Sequence, residues 1–391
     1  MGFFSKSKEV KKSVLVFDIG SSSVGGAFFE LENNKAPKML LSLRESIIIE
    51  EQVNTDRLLL LTAKSLEFVA SKICRLGAGE PTDIFCILSS PWYASQTRVI
   101  RLEKNASFLF TSKLADRLTQ KEVSLFKEEN FGKFSGDDNK ARLIESKNIK
   151  TLLNGYVTPD PLNKKVKTLE MTIFFSMGTE QILDKFEEAI FKSFHSKNIK
   201  FGSFALASFT VVRDLFFHQE DFILLDITGE VTDVSVVKKD VLVSSVSYPL
   251  GTNFMVRRIA VYLACDLDEA RSLISIYKDD HANVSVRKKL DPVMNNIKKE
   301  WLGKFQESLT NLSEGVSVPS LVFVTVDDRF QDFFSSLVQA EQFNQYVFSE
   351  SKFKVVFLDS KMLHSVVKWD SDIARDAFLV LEAIYLNRFI C

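Results

Sequence analysis

Two segments of the sequence repeat one pattern: a short apolar stretch, an aspartate, a turn of small residues and a second apolar stretch. Residues 14–22 read Val-Leu-Val-Phe-Asp-Ile-Gly-Ser-Ser, and residues 223–230 read Ile-Leu-Leu-Asp-Ile-Thr-Gly-Glu, so Asp18 and Asp226 are 208 residues apart. Each copy predicts a buried strand with one carboxylate at its end. Small turn residues let backbone N–H groups converge on phosphate oxygens, and an aspartate can hold Mg²⁺ or its water. Two facing copies can therefore clamp a polyphosphate.

The remaining pattern divides the chain into three parts. Residues 1–94 predict a hairpin over 14–31, a strand at 39–49, a helix at 56–76 and a strand at 84–88, which together form a mixed α/β layer. Residues 95–200 predict an inserted α+β subdomain, with helices at 113–129 and 180–194, a polar loop at 132–139 and a strand at 168–175. Residues 201–391 predict strands at 222–225, 232–237, 241–248, 321–326 and 355–358, helices at 251–264, 267–277, 293–312 and 372–389, and a polar connector at 278–290.

Composition excludes several classes of protein. The net charge of −1 over 391 residues excludes a globally basic nucleic-acid binder, so no nucleic-acid partner is predicted. The four cysteines form no Cys-x-x-Cys, and together with four histidines they give no zinc pattern. No apolar run reaches the roughly 18 residues that a spanning helix needs. Residues 1–12 show no signal peptide; Phe3 and Phe4 beside a basic run can form a solvated tail or touch a membrane surface.

A third segment strengthens the phosphate-loop interpretation, because Tyr-Pro-Leu-Gly-Thr-Asn at 248–253 opens a predicted helix. With these segments in this order, the sequence resembles the actin, heat-shock-chaperone and sugar-kinase ATPase superfamily, and within it the bacterial FtsA and PilM proteins. Residues 18–24 are similar to the first phosphate loop, 226–233 to the second and 248–253 to the loop that follows. Asn154-Gly155-Tyr156 with residues 168–176 resembles the end of the subdomain inserted in FtsA and PilM.

The resemblance implies a two-lobed α/β fold, actin-like and related to ribonuclease H, around a nucleotide cleft. Residues 1–94 would form the first lobe, 95–200 an SHS2-like insertion and 201–391 the second lobe, with a helical subdomain around 265–315. It also implies a cytoplasmic scaffold in peripheral contact with the inner face of the cell membrane, able to form a homo-oligomer. FtsA-like proteins bind a division filament protein, whereas PilM-like proteins bind the cytoplasmic tail of a pilus-assembly membrane protein.

Matched residue by residue, the resemblance implies a site that binds ATP and Mg²⁺, in which Asp18 and Asp226 would hold the metal. The candidate cofactor-binding residues are Asp18, Gly20, Ser21, Ser22, Ser23, Asp226, Thr228, Gly229, Thr232, Gly251, Thr252 and Asn253. Structural alternatives stay open: the aspartates can satisfy a turn, the serines can form a polar hairpin tip, and Gly251 or Asn253 can cap a helix. No nucleophile or general base is apparent, so no catalytic residue is predicted.

Three departures from the superfamily pattern weaken the prediction of nucleotide binding. The adenosine loop of the superfamily is glycine-rich, whereas residues 325–329 read Thr-Val-Asp-Asp-Arg, whose side chains would crowd the base. The helix that normally supplies Glu and Lys to the nucleotide has Arg271 and Ile274 instead. Glu230 follows the single glycine of the second phosphate loop and would repel a triphosphate unless a metal lay between them.

Two main functions follow as hypotheses from the sequence, beside a third and weaker one, an interaction module that binds no nucleotide at all. The first is an FtsA- or PilM-type scaffold that recruits partners at the membrane, with weak, structural or lost ATP binding. The second is an active ATPase or small-molecule kinase of the same superfamily. FtsA-like proteins usually carry an amphipathic helix after a linker, whereas this sequence stops at Cys391 directly after a predicted helix. This departure favours the PilM-like form, or attachment to the membrane through a partner or through Phe3 and Phe4.

Overall fold

Three sheets organise the part of the chain that the structure, a computed structural model, describes. It describes residues 11–33, 35–131, 140–196, 198–278, 284–312, 317–340, 352–370 and 373–390. The predicted membrane contact at Phe3 and Phe4, the predicted loop at 132–139 and Cys391 lie outside these residues. None of the described helices is both long and apolar enough to cross a membrane.

The first sheet begins with the predicted hairpin. Its early elements are β1 (Lys12–Ile19), β2 (Ser23–Leu31), β3 (Lys38–Ser46), α1 (Thr55–Leu76) and β4 (Asp83–Leu88). β1 pairs with β2 in antiparallel fashion and with β4 in parallel, so the hairpin is confirmed. The predicted helix is confirmed as α1, which begins where Asn54 accepts a hydrogen bond from Arg57 N–H and ends at Gly77, a left-handed residue.

The inserted sheet contains more strand than the sequence predicted. It consists of β5 (Ala94–Phe110), β6 (Ala141–Leu153), β7 (Tyr156–Val157) and β8 (Lys164–Thr179), and helix α2 (Ser112–Phe131) packs on it. The rings of Phe126 on α2 and Phe175 on β8 meet edge to face with centroids 5.0 Å apart. The prediction omitted β5 and β6 because their outward faces carry charge and their apolar faces are short.

The chain leaves the inserted sheet after Thr179, before the boundary predicted at residue 200, and the next elements pack on or pair with the first sheet. Helix α3 (Glu180–Phe194) packs against α1 through Leu183, Phe186 and Ile190. Strand β9 (Ile199–Ser203) pairs in parallel with β4. Because both elements join the first sheet, we propose that the insertion spans residues 94–179 and that the boundary predicted at 200 divides the first lobe.

The second lobe repeats the pairing of the first. Its elements are α4 (Phe204–Leu215), β10 (Phe222–Ile227), β11 (Thr232–Lys238), β12 (Val241–Tyr248), α5 (Thr252–Leu263), α6 (Leu267–Lys278), α7 (Val284–Leu312), β13 (Leu321–Val326), α8 (Gln331–Ala340) and β14 (Lys354–Phe357). β10 pairs with β11 in antiparallel fashion and with β13 in parallel, as β1 does with β2 and β4. Asp18 and Asp226 are each the penultimate residue of the corresponding strand, so the repeat in sequence is a repeat in structure.

The last elements tie the lobes together. β15 (Lys368–Trp369) pairs with β3, and α9 (Ala377–Ile390) packs on β1, β2 and α4. One apolar cluster joins α4 and α9 to Phe222 and Phe323 of the second sheet. The start of α9 was predicted five residues too early, because Asp376 accepts the Leu379 N–H and caps the helix.

Three further helices differ from the prediction. Residues 284–290 were predicted as connector but are the first turns of α7, in which Lys288 and Lys289 face outward while Leu290 is buried. α4 and α8 were not predicted. The run around 204–212 is apolar on all sides, and such a pattern does not distinguish a buried helix from a buried strand.

Candidate functional site

The turns that follow β1 and β10 meet at the boundary between the two lobes. Ser21 Oγ lies 3.0 Å from Thr228 Oγ1 and accepts a hydrogen bond from Glu230 N–H at 2.9 Å. A Cβ atom on Gly229 would lie 2.7 Å from Ser22 Cβ, so only glycine permits this approach. The two segments predicted as phosphate loops therefore touch each other directly.

The third predicted segment packs behind this contact. Gly251 occupies the N-cap position of α5, where a Cβ atom would collide with the Gly229 carbonyl oxygen. The N–H groups of Thr252 and Asn253 donate to Thr228 O at 2.9 Å and to Gly229 O at 2.8 Å. These contacts give Gly251 and Asn253 the capping and loop-supporting role that was one of the two alternatives open from the sequence.

Thr232 and Glu230 are also held by protein groups. Thr232 Oγ1 donates to Leu250 O at 2.8 Å and accepts from Trp301 Nε1 at 3.4 Å. Arg257 of α5 donates to both Glu230 oxygens, at 2.7 and 2.8 Å. The sequence raised the expectation that Glu230 would repel a triphosphate; in the structure this carboxylate is buried against a guanidinium and does not line the cavity. Arg257 was missed, although its position four residues after Asn253 places both side chains on one face of the helix.

A cavity of about 180 Å³ lies in front of the contacting loops, between the lobes. It is lined by six predicted site residues, namely Asp18, Gly20, Ser22, Ser23, Thr228 and Thr252, and also by Arg44, Asp327, Asp328, Arg375, Asp376 and Phe378. The other predicted site residues, Ser21, Asp226, Gly229, Thr232, Gly251 and Asn253, lie outside this lining. Ile274 is part of the second lobe's apolar core.

Arg44 of β3 is the central charge of the cavity, and the sequence analysis missed it. It donates from Nη2 to Asp18 Oδ2 at 2.6 Å and from Nε to Asp376 Oδ2 at 2.5 Å. A third bond runs from Nη1 to Ser23 Oγ at 2.9 Å, and the guanidinium carbon lies 5.2 Å from the centroid of the Phe378 ring. Asp376 is 332 residues away in sequence, so no local pattern could have indicated this pairing.

The Asp18 carboxylate is enclosed by protein. It is 2% exposed, and burial raises its pKa while the Arg44 guanidinium opposes that rise. Glu382 of α9 has no exposed surface, and burial together with the negative charge of Asp18 raises its pKa well above the usual range. With both groups ionised, Asp18 Oδ1 and the two Glu382 oxygens have no hydrogen-bond partner among the described residues. The raised pKa of Glu382 favours its protonated form, in which one of its oxygens can donate to Asp18.

Asp226 occupies the equivalent position in the second lobe, and no ion pair with a described residue neutralises it. Burial and the neighbouring carboxylates of Asp233 and Asp18 raise its pKa well above the usual range. Its Oδ1 lacks a partner among the described residues. Asp233, directly opposite on β11, accepts hydrogen bonds from Ser247 at 2.5 Å and from Ser90 of the first lobe at 3.0 Å.

These residues do not fit Mg-ATP in the arrangement that the structure shows. The partnerless oxygens of Asp18 and Asp226 are the feature that suits Mg²⁺. Arg44, however, already neutralises Asp18, and the described residues contain no group of three or more side chains suited to a metal. The two predicted phosphate loops touch each other, and the cavity in front of them, at about 180 Å³, is smaller than the roughly 300 Å³ at which ligand pockets begin. Asp327 and Asp328 add carboxylates where the adenosine loop was expected.

Two lobes with duplicated sheets around a cleft, one of them carrying a small inserted sheet, define an actin-like fold. A solved structure of a PilM-PilN type IV pilus biogenesis complex is similar to this chain over 97% of its length and 98% of that chain, with a TM-score of 0.60 at 13% identity. At that identity the likeness establishes the fold, and it confirms the predicted fold class.

Two other solved structures align more loosely. The ethanolamine utilization protein EutJ from Carboxydothermus hydrogenoformans gives a TM-score of 0.44 at 10% identity, over 98% of this chain and 91% of that one. A Bacteroides thetaiotaomicron protein with an actin-like ATPase fold gives 0.40 at 10% identity, over 99% of both chains. No known family profile matches the sequence, and no curated protein matches it either.

Proposed function

We propose that this chain is an actin-like scaffold of the PilM type, which holds a protein partner at the inner face of the cell membrane and has lost Mg-ATP binding. The observation that carries the proposal is the direct contact between the two predicted phosphate loops, Ser21 with Thr228 and Ser22 with Gly229. The cavity in front of this contact, at about 180 Å³, is smaller than the roughly 300 Å³ at which ligand pockets begin.

Further bonds between the lobes support a rigid platform. Ser90 of the first lobe donates to Asp233 of the second, and Arg257 of the second donates to the Glu50 carbonyl oxygen of the first at 2.7 Å. The shared apolar cluster around α4 and α9 adds burial across the same boundary. A fixed angle between the lobes suits a protein that presents a binding surface to a partner, because the lobes then keep their arrangement without a bound ligand.

The partner that we propose is the cytoplasmic tail of a pilus-assembly membrane protein. A solved structure that is similar over nearly the whole chain is a complex of PilM with PilN, and it supports pilus assembly over a division filament. The proposed location is the cytoplasm, at the inner membrane.

Partner capture tests this proposal. The tagged full chain is expressed in its native cells, cross-linked, and recovered from detergent-solubilised membranes, with tag alone as the control. The proposal predicts selective recovery of an integral inner-membrane protein with a short cytoplasmic tail, whose synthetic tail peptide then binds the purified chain. Recovery of no membrane protein above the control would contradict it. An active ATPase or kinase would instead turn over ATP without such a partner.

A further inference from the structure

One end of the inserted sheet forms a protruding tip, residues 154–168, made of the β6–β7 turn, β7, the loop that follows it and the start of β8. Three side chains at this tip are apolar and exposed: Tyr156 at 78%, Val157 at 59% and Leu162 at 48%. Gly155 at the turn has a φ of +84°, and a Cβ atom there would meet nothing within 4 Å. The tip is therefore convex, with its apolar side chains pointing away from the rest of the fold.

The backbone of the tip is fixed by hydrogen bonds. Asn154 Oδ1 accepts from the N–H groups of Lys167 and Thr168 at 2.9 and 3.1 Å. Thr158 N–H donates to Thr151 O at 3.0 Å, and Asn163 N–H donates to Phe110 O at 2.7 Å. Because these bonds order the tip in advance, a binding partner would not have to supply the free energy of ordering it.

The tip is also basic. Residues 154–168 contain Lys164, Lys165 and Lys167 but one carboxylate, Asp160. All three lysines are exposed, and none forms an ion pair within the described parts of the chain. The pairing of Leu153 with both Tyr156 and Leu169 places the lysines and the apolar side chains at the same end of the sheet.

We infer that this tip binds the surface of a membrane rich in anionic lipids. Lysines beside exposed tyrosine and aliphatic side chains match the boundary of such a bilayer, where the cations meet lipid phosphates and the apolar groups enter the interface. A convex tip suits a bilayer, whereas a peptide partner would require a groove. The inference goes beyond the proposed function, because lipid binding at the tip needs no protein partner.

Vesicle co-sedimentation tests the inference on the purified full chain. The probes are phosphatidylcholine vesicles with and without phosphatidylglycerol, at physiological ionic strength. The wild type is expected to bind the anionic vesicles and not the neutral ones, with affinity falling as salt rises. Changing Lys164, Lys165 and Lys167 together to Gln should weaken binding by about 100-fold, at about fivefold for each lysine near an anionic surface. The double variant Tyr156→Ser/Val157→Ser should weaken binding without changing its salt dependence.

A matched control distinguishes the tip from basic surface in general. The outer face of α1 carries Lys64, Lys72 and Arg75, which are also exposed, and these three are changed together to Gln. This control should bind like the wild type. The inference is overturned if the wild type does not bind anionic vesicles or if the triple-lysine tip variant binds them as the wild type does. It is also overturned if the α1 variant loses as much affinity as that tip variant. Because the vesicles contain no protein, failure here leaves the outcome of partner capture unaffected.

Discussion

Replacing Arg44 by Gln removes the guanidinium that pairs with Asp18 in the cleft. Asp18, 3% exposed at its side chain, and Asp376, at 14%, would both lose their guanidinium partner. Breaking a buried ion pair by deleting one partner costs about 3–5 kcal/mol. Arg44 itself is 25% exposed, so the lower end applies, and we expect a loss of about 3 kcal/mol in the free energy of unfolding.

The assay is urea unfolding followed by tryptophan fluorescence. Trp92 is a suitable probe, because its Nε1 donates to Gly20 O at 2.9 Å beside the site. Asp18→Asn alone should cost less than about 1 kcal/mol, since it leaves Arg44 paired with Asp376. The double variant Arg44→Gln/Asp18→Asn should be about 2 kcal/mol more stable than Arg44→Gln, because it removes the buried Asp18 carboxylate that Arg44→Gln leaves without its guanidinium partner.

The loss of unfolding free energy caused by Arg44→Gln, called the deficit below, should depend on pH, and this dependence provides a second check. Burial raises the pKa of Asp18 in the folded state, and loss of Arg44 raises it further. A carboxyl with a raised folded-state pKa stabilises the fold below its unfolded pKa, and that stability is lost as pH rises through the folded-state value. The deficit should therefore shrink as pH falls below neutral. A loss under about 1 kcal/mol, or a double variant no more stable than Arg44→Gln, would refute the proposed electrostatics.

Two further variants test the buried carboxyl and the loop contact. Glu382→Gln should flatten the pH dependence of the free energy of unfolding. The raised pKa of Glu382 makes the wild type lose stability as pH rises above the ordinary glutamate pKa, near about 4.3. A pH profile of the variant parallel to that of the wild type would contradict this. Gly229→Ala should destabilise by about 1–3 kcal/mol through its clash with Ser22, measured by thermal and urea unfolding. Gly303→Ala in α7 is its control, since nothing lies within 4 Å of the added Cβ and alanine favours a helix by about 0.5–1 kcal/mol. Equal effects at the two glycines would show that the loops do not touch.

Local patterns in the sequence predicted much of the fold. The repeated strand–aspartate–turn units gave two equivalent sheets, because an apolar run that ends in a turn residue is a signal contained within about ten residues. Helices α1 and α3 were predicted within a residue or two, since their apolar positions follow the helical period over several turns. Helix α9 begins later than predicted because Asp376 caps it by accepting the Leu379 N–H. This signal is also local, but the prediction did not use it.

The chemistry of the cleft was less accessible from sequence. Arg44 meets Asp376 across 332 residues, and Arg257 meets Glu230 across 27, so each pairing depends on the tertiary fold rather than on a motif. Glu382, a single carboxyl in the apolar helix α9, was the visible signal that went unused. Motif spacing identified the segments that meet, but it could not show that Ser22 and Gly229 meet without a gap.

Calorimetric titration of Mg-ATP into the full chain tests the central claim most directly, with Asp18→Ala as the control. The loop contact and the Arg44–Asp18 pair predict no saturable heat at millimolar nucleotide for either protein. Micromolar binding by the wild type that disappears in Asp18→Ala would contradict the account, because it would show that the two loops separate to hold a triphosphate and that Asp18 serves its metal.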